Sequence, residues 1–191
     1  SKSQKISEVL PILPLFDTAL FPKMVLPLIV MQEESVQLVD EAMSKGRIIG
    51  LLISKNATVK PSYTADDLYS VGTSALILKM AKTEDNTAQL LVQGLDRIRV
   101  TDYIGGKPYL RTRVEYIKDK TEKDKENDAL MSNIVSMFAR VVELSPGIPQ
   151  EIAAMANSIQ EPGILADMIA SIINSTIKEK QKVLELIDIK K

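Results

Sequence analysis

Phe21-Pro22-Lys23-Met24 places a rigid ring and a flexible thioether on either side of a proline turn, which suits gripping apolar side chains and makes no bonds. Pro27 follows close by, and Leu78 with Met80 repeats the theme later in the chain, sharing a face if their strand alternates regularly. These six residues, Phe21, Pro22, Met24, Pro27, Leu78 and Met80, are the candidate substrate-binding set. A second reading has Phe21 and Met24 plugging the open end of a barrel, because apolar residues usually lie inside. Arg97 and Arg99, with Arg111 and Arg113 further on, could form a basic ladder for nucleic acid. No aromatic stacking platform joins them, and Asp96, Asp102 and Glu115 stand near enough to neutralise them, so nucleic acid is not the expected partner. The carboxylate pairs Asp66-Asp67 and Glu84-Asp85 fall in expected turns, read as solvated, and no metal site is assigned.

The chain contains no histidine and no cysteine, so a Ser-His-Asp triad, a cysteine nucleophile, a thiolate metal site and a disulfide are all excluded. It has no Gly-x-x-x-x-Gly-Lys-Ser/Thr loop and no Gly-x-Gly-x-x-Gly, hence no recognisable cradle for a nucleotide. No catalytic residue and no cofactor is expected in this chain. Charge is balanced, with 24 basic and 25 acidic residues, which argues against a general polyanion binder. The longest apolar runs, such as Val25 to Met31, are far shorter than the ~20 residues that span a bilayer, and a cytoplasmic protein is expected.

The elements that must hold these residues change period near Lys118. Before it, Pro11, Pro14, Pro22 and Pro27 confine the two opening apolar runs to extended backbone at the rim of a sheet, with Phe21 to Met24 as the turn between them. Ile48–Ile53, Val71–Met80, Gln89–Thr101 and Pro108–Ile117 are expected strands, and the short polar turns between consecutive ones predict an antiparallel meander. One helix, Glu33 to Lys45, carries Val36, Leu38, Val39, Ala42 and Met43 on its apolar side and stops at Gly46. After a charged stretch, Thr121 with Asp124 resembles a capping box, and Leu130, Ile134, Met137, Phe138, Val141 and Leu144 recur at helical spacing until Ser145-Pro146-Gly147. Pro149 and Pro162 introduce two further helices, and a Thr176/Glu179 capping box opens a last one over Ile177–Lys191. The expected fold class is α+β: a small bent antiparallel β barrel with one helix over residues 1–118, then a small helical bundle over 119–191. The last helix shows no Gly, Asn or Pro to stop it, and Ser1-Lys2-Ser3-Gln4 lacks an initiator methionine, so the chain reads as part of a longer one.

Leu10-Pro11-Ile12-Leu13-Pro14-Leu15-Phe16-Asp17 with Phe21-Pro22-Lys23-Met24-Val25-Leu26-Pro27-Leu28 resembles the start of the N-terminal domain of the ATP-dependent Lon protease family. Further along, Glu41-Ala42-Met43, Asp67-Leu68-Tyr69-Ser70-Val71-Gly72-Thr73, Val92-Gln93-Gly94-Leu95-Asp96-Arg97-Ile98, Glu161-Pro162-Gly163-Ile164-Leu165-Ala166-Asp167 and Lys178-Glu179-Lys180-Gln181-Lys182-Val183-Leu184-Glu185 resemble family signatures in the same order. The resemblance implies a PUA-like β pseudo-barrel that recognises unfolded or damaged polypeptides and assembles with other copies of the same chain. It places ATP, Mg and a Ser-Lys protease dyad in modules beyond this sequence, so the family's catalytic residues map onto no position here. A free-standing domain of this type, with a scaffolding or ligand-binding role, is the alternative.

Overall fold

The computed structural model describes residues 7–118 and 125–186. Six strands, β1 (Ser7–Leu15), β2 (Val25–Val30), β3 (Ile48–Ile53), β4 (Val71–Lys82), β5 (Ala88–Gly105) and β6 (Arg111–Ile117), form one sheet in the order β2-β5-β4-β3-β1-β6. Because β5 also pairs with β6, the strands β5-β4-β3-β1-β6 close on themselves and β2 is left as a flap on the outer side of β5. The length of β5 makes this possible: its first half lies between β2 and β4, and its second half reaches β6 past irregularities at Val100/Asp102 and Tyr103/Gly105. Helix α1 (Glu33–Ser44) turns Val36, Leu38, Val39 and Ala42 into the barrel core, with Met43 half-buried, and is followed past its Lys45 cap by Gly46, whose φ of 95° suits glycine.

The fold is α+β, but its sheet is mixed where an antiparallel meander was expected. β1 pairs with β3 in parallel and with β6 antiparallel. The chain leaves β1, lays β2 on the far side of the sheet, crosses through α1 and returns beside β1 in the same direction, as a parallel pair requires. The prolines of β1 therefore do not mark a rim. The Ile12 amide donates to Leu110 at 2.8 Å, so even-numbered residues of β1 face β6 and odd-numbered ones face β3. Pro11 then turns its missing N–H towards β3 just before that pairing begins at Ile12, and Pro14 turns its own towards β6 just past that pairing's end. Neither proline removes a ladder hydrogen bond.

Four helices follow: α2 (Lys125–Glu143), α3 (Glu151–Ser158), α4 (Pro162–Ile172) and α5 (Ile177–Glu185). Phe138, Val142, Ala156, Leu165 and Met168 form the shared core of α2, α3 and α4, while α5 packs its Leu184, Ile177 and Val183 against the barrel core. The Thr176/Glu179 capping box is formed, with the Glu179 amide donating to Thr176 Oγ1 at 3.2 Å and the Thr176 amide to Glu179 Oε2 at 2.7 Å. Helix α5 ends at Glu185, with Leu186 extended at φ −75° and ψ 117°, and the rest of the helix expected to Lys191 lies outside the described residues. The Thr121/Asp124 pair, Ser1 to Gln4 and the last five residues lie outside the described residues. Residues on both sides of Lys118 share one core, since Leu184 of α5 is buried among the barrel residues.

The loop from Lys55 to Ser70 is held by a charged pair, Lys60 with Asp67, and by the Thr64 amide donating to Asp67 Oδ2 at 2.9 Å. These bonds, the Lys60 ammonium foremost, hold the Asp67 carboxyl down at about 2. A folded pKa below the unfolded value near 4 means that the contribution is complete above about pH 4 and fades as pH falls towards 2. Asp67→Asn is expected to flatten the acid limb of a stability-versus-pH curve between about pH 4 and 2, as measured by chemical denaturation at each pH. An unchanged limb would show that the pair contributes nothing to folding.

Candidate functional site

Among the described residues, β2 is the one strand of the sheet with a neighbour on a single side. The Gly94 amide donates to Met24 O at 2.7 Å, and the pairing register then sends the main-chain groups of Leu26, Leu28 and Val30 towards β5 and those of Val25, Pro27 and Ile29 towards the free edge. Pro27 sits where its missing N–H costs no ladder bond. Side chains alternate in step: Leu28 and Val30 are buried, whereas Val25 is 52% exposed, Ile29 67% and Met31 65%. Every outward residue from Val25 to Met31 is therefore apolar, on a strand face that no described residue covers.

Beside this row runs a groove of about 420 Å³ between the free edge of β2 and the last residues of β1. Leu15, Phe16 and Thr18 form one wall, Pro27, Ile29 and Met31 the other, with Val59 at the end. The Gln32 side chain, also on the lining, donates to the Lys60 carbonyl and ties the loop carrying Val59 to this place. Pro14 and Pro27 both turn a missing N–H into the groove, so neither edge offers a continuous ladder for an added strand. What the groove offers is apolar side chains, with little main-chain pairing.

The six expected residues separate. Phe21 has no exposed surface and belongs to the barrel core, so its ring cannot meet a ligand at the surface; the rim reading is corrected for this residue, and the plug reading describes it. The turn itself is present: the Met24 amide donates to Phe21 O at 3.2 Å, Pro22 is half-buried, and Lys23 takes a φ of 67°. It joins β1 to β2, which are not paired with each other. Met24 is half-buried and touches both the barrel core and the core of the helical bundle, which makes it a rivet between the two halves. Pro27 is exposed on the groove. Met80 is half-buried against the barrel core and lies across from Leu90, itself opposite Leu28. An irregularity between Ile77 and Lys79 inserts Leu78 as an extra residue, so simple alternation does not put Leu78 and Met80 on one face. The sequence reading missed Val25, Ile29 and Met31, whose outward direction is invisible in a run that is apolar on both faces; only Pro27, as an edge marker, pointed to it.

It also missed a buried contact between the two halves. Arg97 of β5 and Asp167 of α4 form a bidentate pair, Nη1 to Oδ2 at 2.9 Å and Nη2 to Oδ1 at 2.5 Å, and Arg97 Nε donates to Leu184 O at 3.0 Å. Both side chains are buried. Gln181 of α5 adds a bond from Nε2 to Val71 O at 3.0 Å. Arg97 is thus interior and leaves no ladder: Arg99 pairs with Glu115 at 3.2 Å, and Arg113 lies opposite Asp102. Of the carboxylate pairs, Asp67 is taken by Lys60, and Asp85 accepts from Thr83 and Thr87. Among the described residues no group of three acidic side chains is placed to hold a metal ion, and no helix is long and apolar enough to cross a membrane.

Comparison with known proteins agrees with this architecture. The chain is 49% identical over its full length to a Lon protease of Syntrophus aciditrophicus, of which it covers 24%, and 46% identical over 98% of its length to a Lon protease of Desulfosudis oleivorans, of which it covers 23%. It spans about a quarter of the curated relatives that it matches. The N-terminal domain of a Mycobacterium avium complex Lon protease shares the fold with a TM-score of 0.73 at 22% identity, covering 96% of this chain and 92% of that one. A Lon N-terminal domain protein from Xanthomonas campestris does so with a TM-score of 0.66 at 17% identity, covering 95% and 92%. The family described as the ATP-dependent protease La (Lon) substrate-binding domain matches residues 9–191, and the chain belongs to that family.

Proposed function

We propose that this chain captures exposed apolar segments of unfolded or damaged polypeptides for an ATP-dependent protease of the cytoplasm, using the outward face of β2 and the groove beside it, and that it helps to assemble copies of the protease. The single observation that supports capture is the uncovered row Val25, Pro27, Ile29 and Met31 against a 420 Å³ apolar groove. A contiguous apolar surface of this kind on a folded domain marks a contact site. The flexible thioether of Met31 adapts to varied side chains, which suits a receptor for many sequences. Proteolysis and ATP hydrolysis belong in this reading to the remaining three quarters of the protein, with ATP and Mg as its cofactors. Half-buried Met24, Met80 and Pro22 act as the floor behind the strand, and Pro27 as a direct contact.

One patch of this size gives weak binding, with dissociation constants on the order of micromolar to millimolar, and several copies in an assembly supply avidity. The test is a methyl and amide NMR titration with one protein in its folded form and in a destabilised variant. Shifts confined to the unfolded client and centred on residues 25–31 are expected. Replacing Val25, Ile29 and Met31 together by serine should weaken binding at least about tenfold and leave the fold intact, since all three are exposed. A folded triple variant that binds the client as the parent does would sink the proposed surface.

A further inference from the structure

The groove beside β2 is apolar along its length and acidic at its two ends. Asp17 is the one charged side chain on its lining, exposed just past the end of β1. At the other end a small hollow shares Pro14, Gln32 and Ser35 with the groove and adds Glu34, half-buried in the first turn of α1. Among the described residues, neither carboxylate is engaged in a hydrogen bond or an ion pair. The neighbouring lysines leave both charges standing. Lys60, whose carbonyl Gln32 holds beside the groove, gives its ammonium to Asp67. Lys55 follows Ser54, whose amide donates to Leu15 O at 2.6 Å, and it forms no ion pair with Asp17.

Apolar segments of natural chains rarely come bare. They carry charged gatekeepers at their flanks, which hold back aggregation, so a receptor for such segments meets the flanking charges in the same event. A carboxylate at each end of the groove attracts an ammonium or guanidinium and repels another carboxylate. We infer that the groove takes an apolar segment flanked by lysine or arginine, with Asp17 meeting the basic residue at one end and Glu34 at the other, and that it disfavours the same segment flanked by aspartate or glutamate. Pro14 and Asp17 stand three positions apart, at most about 10 Å of extended chain, which fits a core of about three to five apolar residues with a long basic side chain reaching past each end. Contacts at exposed carboxylates are individually weak and are screened by salt. They therefore set the preference between clients, while the apolar row of β2 sets the affinity. The inference rests on the capture of apolar segments proposed above and adds to it the charge of the client.

Fluorescence anisotropy of the full chain with three labelled peptides tests this. The peptides share one Leu-Val-Phe-Ile core, set between two lysines, two glutamines or two glutamates. At about 20 mM salt the lysine-flanked peptide should bind about three- to tenfold tighter than the glutamate-flanked one, with glutamine between them, and the gap should close towards 0.5 M salt, where the screening length is only a few ångströms. Asp17→Lys should narrow the gap, and Asp17→Lys with Glu34→Gln should reverse it. Glu143→Lys, an exposed change of the same charge at the end of α2, should leave the order of the three peptides as it is. Equal binding of the three peptides, or tighter binding of the glutamate-flanked one, would overturn the charge preference and leave capture of apolar segments standing. A lysine preference that survived the double variant would overturn the assignment to Asp17 and Glu34. Failure of every peptide to bind up to about a millimolar would overturn capture at the groove together with the preference.

Discussion

Arg97→Met is expected to lower the stability of this chain by about 3–5 kcal/mol, the cost of leaving one partner of a buried ion pair without the other. Methionine roughly conserves the volume and removes the charge. Asp167 is left as a buried carboxylate that has lost two hydrogen bonds, and Leu184 O loses the donor that Arg97 Nε supplied. For a chain of this size the loss corresponds to a fall in Tm of roughly 6–20 °C. The pair joins β5 to α4, and the Leu184 bond joins β5 to α5, so the damage should be uneven: amide exchange should rise first across residues 162–186 and later in the barrel strands. Combining Arg97→Met with Asp167→Leu removes both charges, and most of the stability should return, because a buried pair and a packed apolar pair of similar volume are often nearly equivalent. If the single variant lost less than about 1 kcal/mol, or if the double variant were the worse of the two, the contact would not be the lock between the halves.

That lock explains why two stretches that looked unrelated in sequence stand in one place. Arg97 lies in the run Val92 to Ile98 and Asp167 in the run Glu161 to Asp167, and both runs carried the family resemblance. Nothing in their spacing announces the contact. Alternation along β5 marked Ile98 and Val100 as one face and left Arg97 to the solvent side, as it would in a sheet with one face wet. Helices α4 and α5 meet that second face, and the partners of Arg97 arrive with them, the Asp167 counter-charge from α4 and the Leu184 carbonyl from α5. Local pattern failed for the same reason on α2, where six apolar residues at helical spacing were read as one face. The helix has two stripes, and the bundle chose Phe138 and Val142 for burial. Strand β3 was legible to the residue, Ile48–Ile53, because it is a continuous apolar run buried on both faces and bounded by turn residues. Its parallel pairing with β1 was not legible, although β1 itself was read as extended, since the crossover through β2 and α1 is a property of the whole chain. At the candidate site, Pro27 was readable as an edge marker. Phe21 was readable both as a contact and as a core plug, because a phenylalanine beside a proline turn fits either, and its complete burial puts it in the core.

The plug has its own expected consequence. Phe21→Ala should cost about 3–5 kcal/mol, the range for truncating a buried aromatic, with a cavity left among the barrel residues. The site is closely built: the Thr73 hydroxyl donates to Leu20 O at 2.7 Å, the Lys23 amide to Gly94 O at 3.0 Å, and the turn returns through Met24 to Phe21 O. A Cβ added at Gly94 would stand 2.3 Å from Phe21 O and 3.1 Å from its carbonyl carbon, both of them backbone atoms that cannot swing aside. Only glycine lets β5 run this close beneath the turn. The neighbourhood therefore has little freedom to collapse around a missing ring, which puts the loss at the upper end of the range. Chemical denaturation of Phe21→Ala beside Phe21→Leu measures it, the leucine variant falling between the parent and the alanine variant because it refills most of the volume. The same pair of variants separates plug from contact. A plug makes Phe21→Leu bind an unfolded client with the parent's affinity wherever the variant is folded. A surface contact gives the reverse, lost client affinity with stability within about 0.5 kcal/mol of the parent. The absence of any exposed surface on Phe21 predicts the first result and leaves the client contacts proposed above to the outward row of β2.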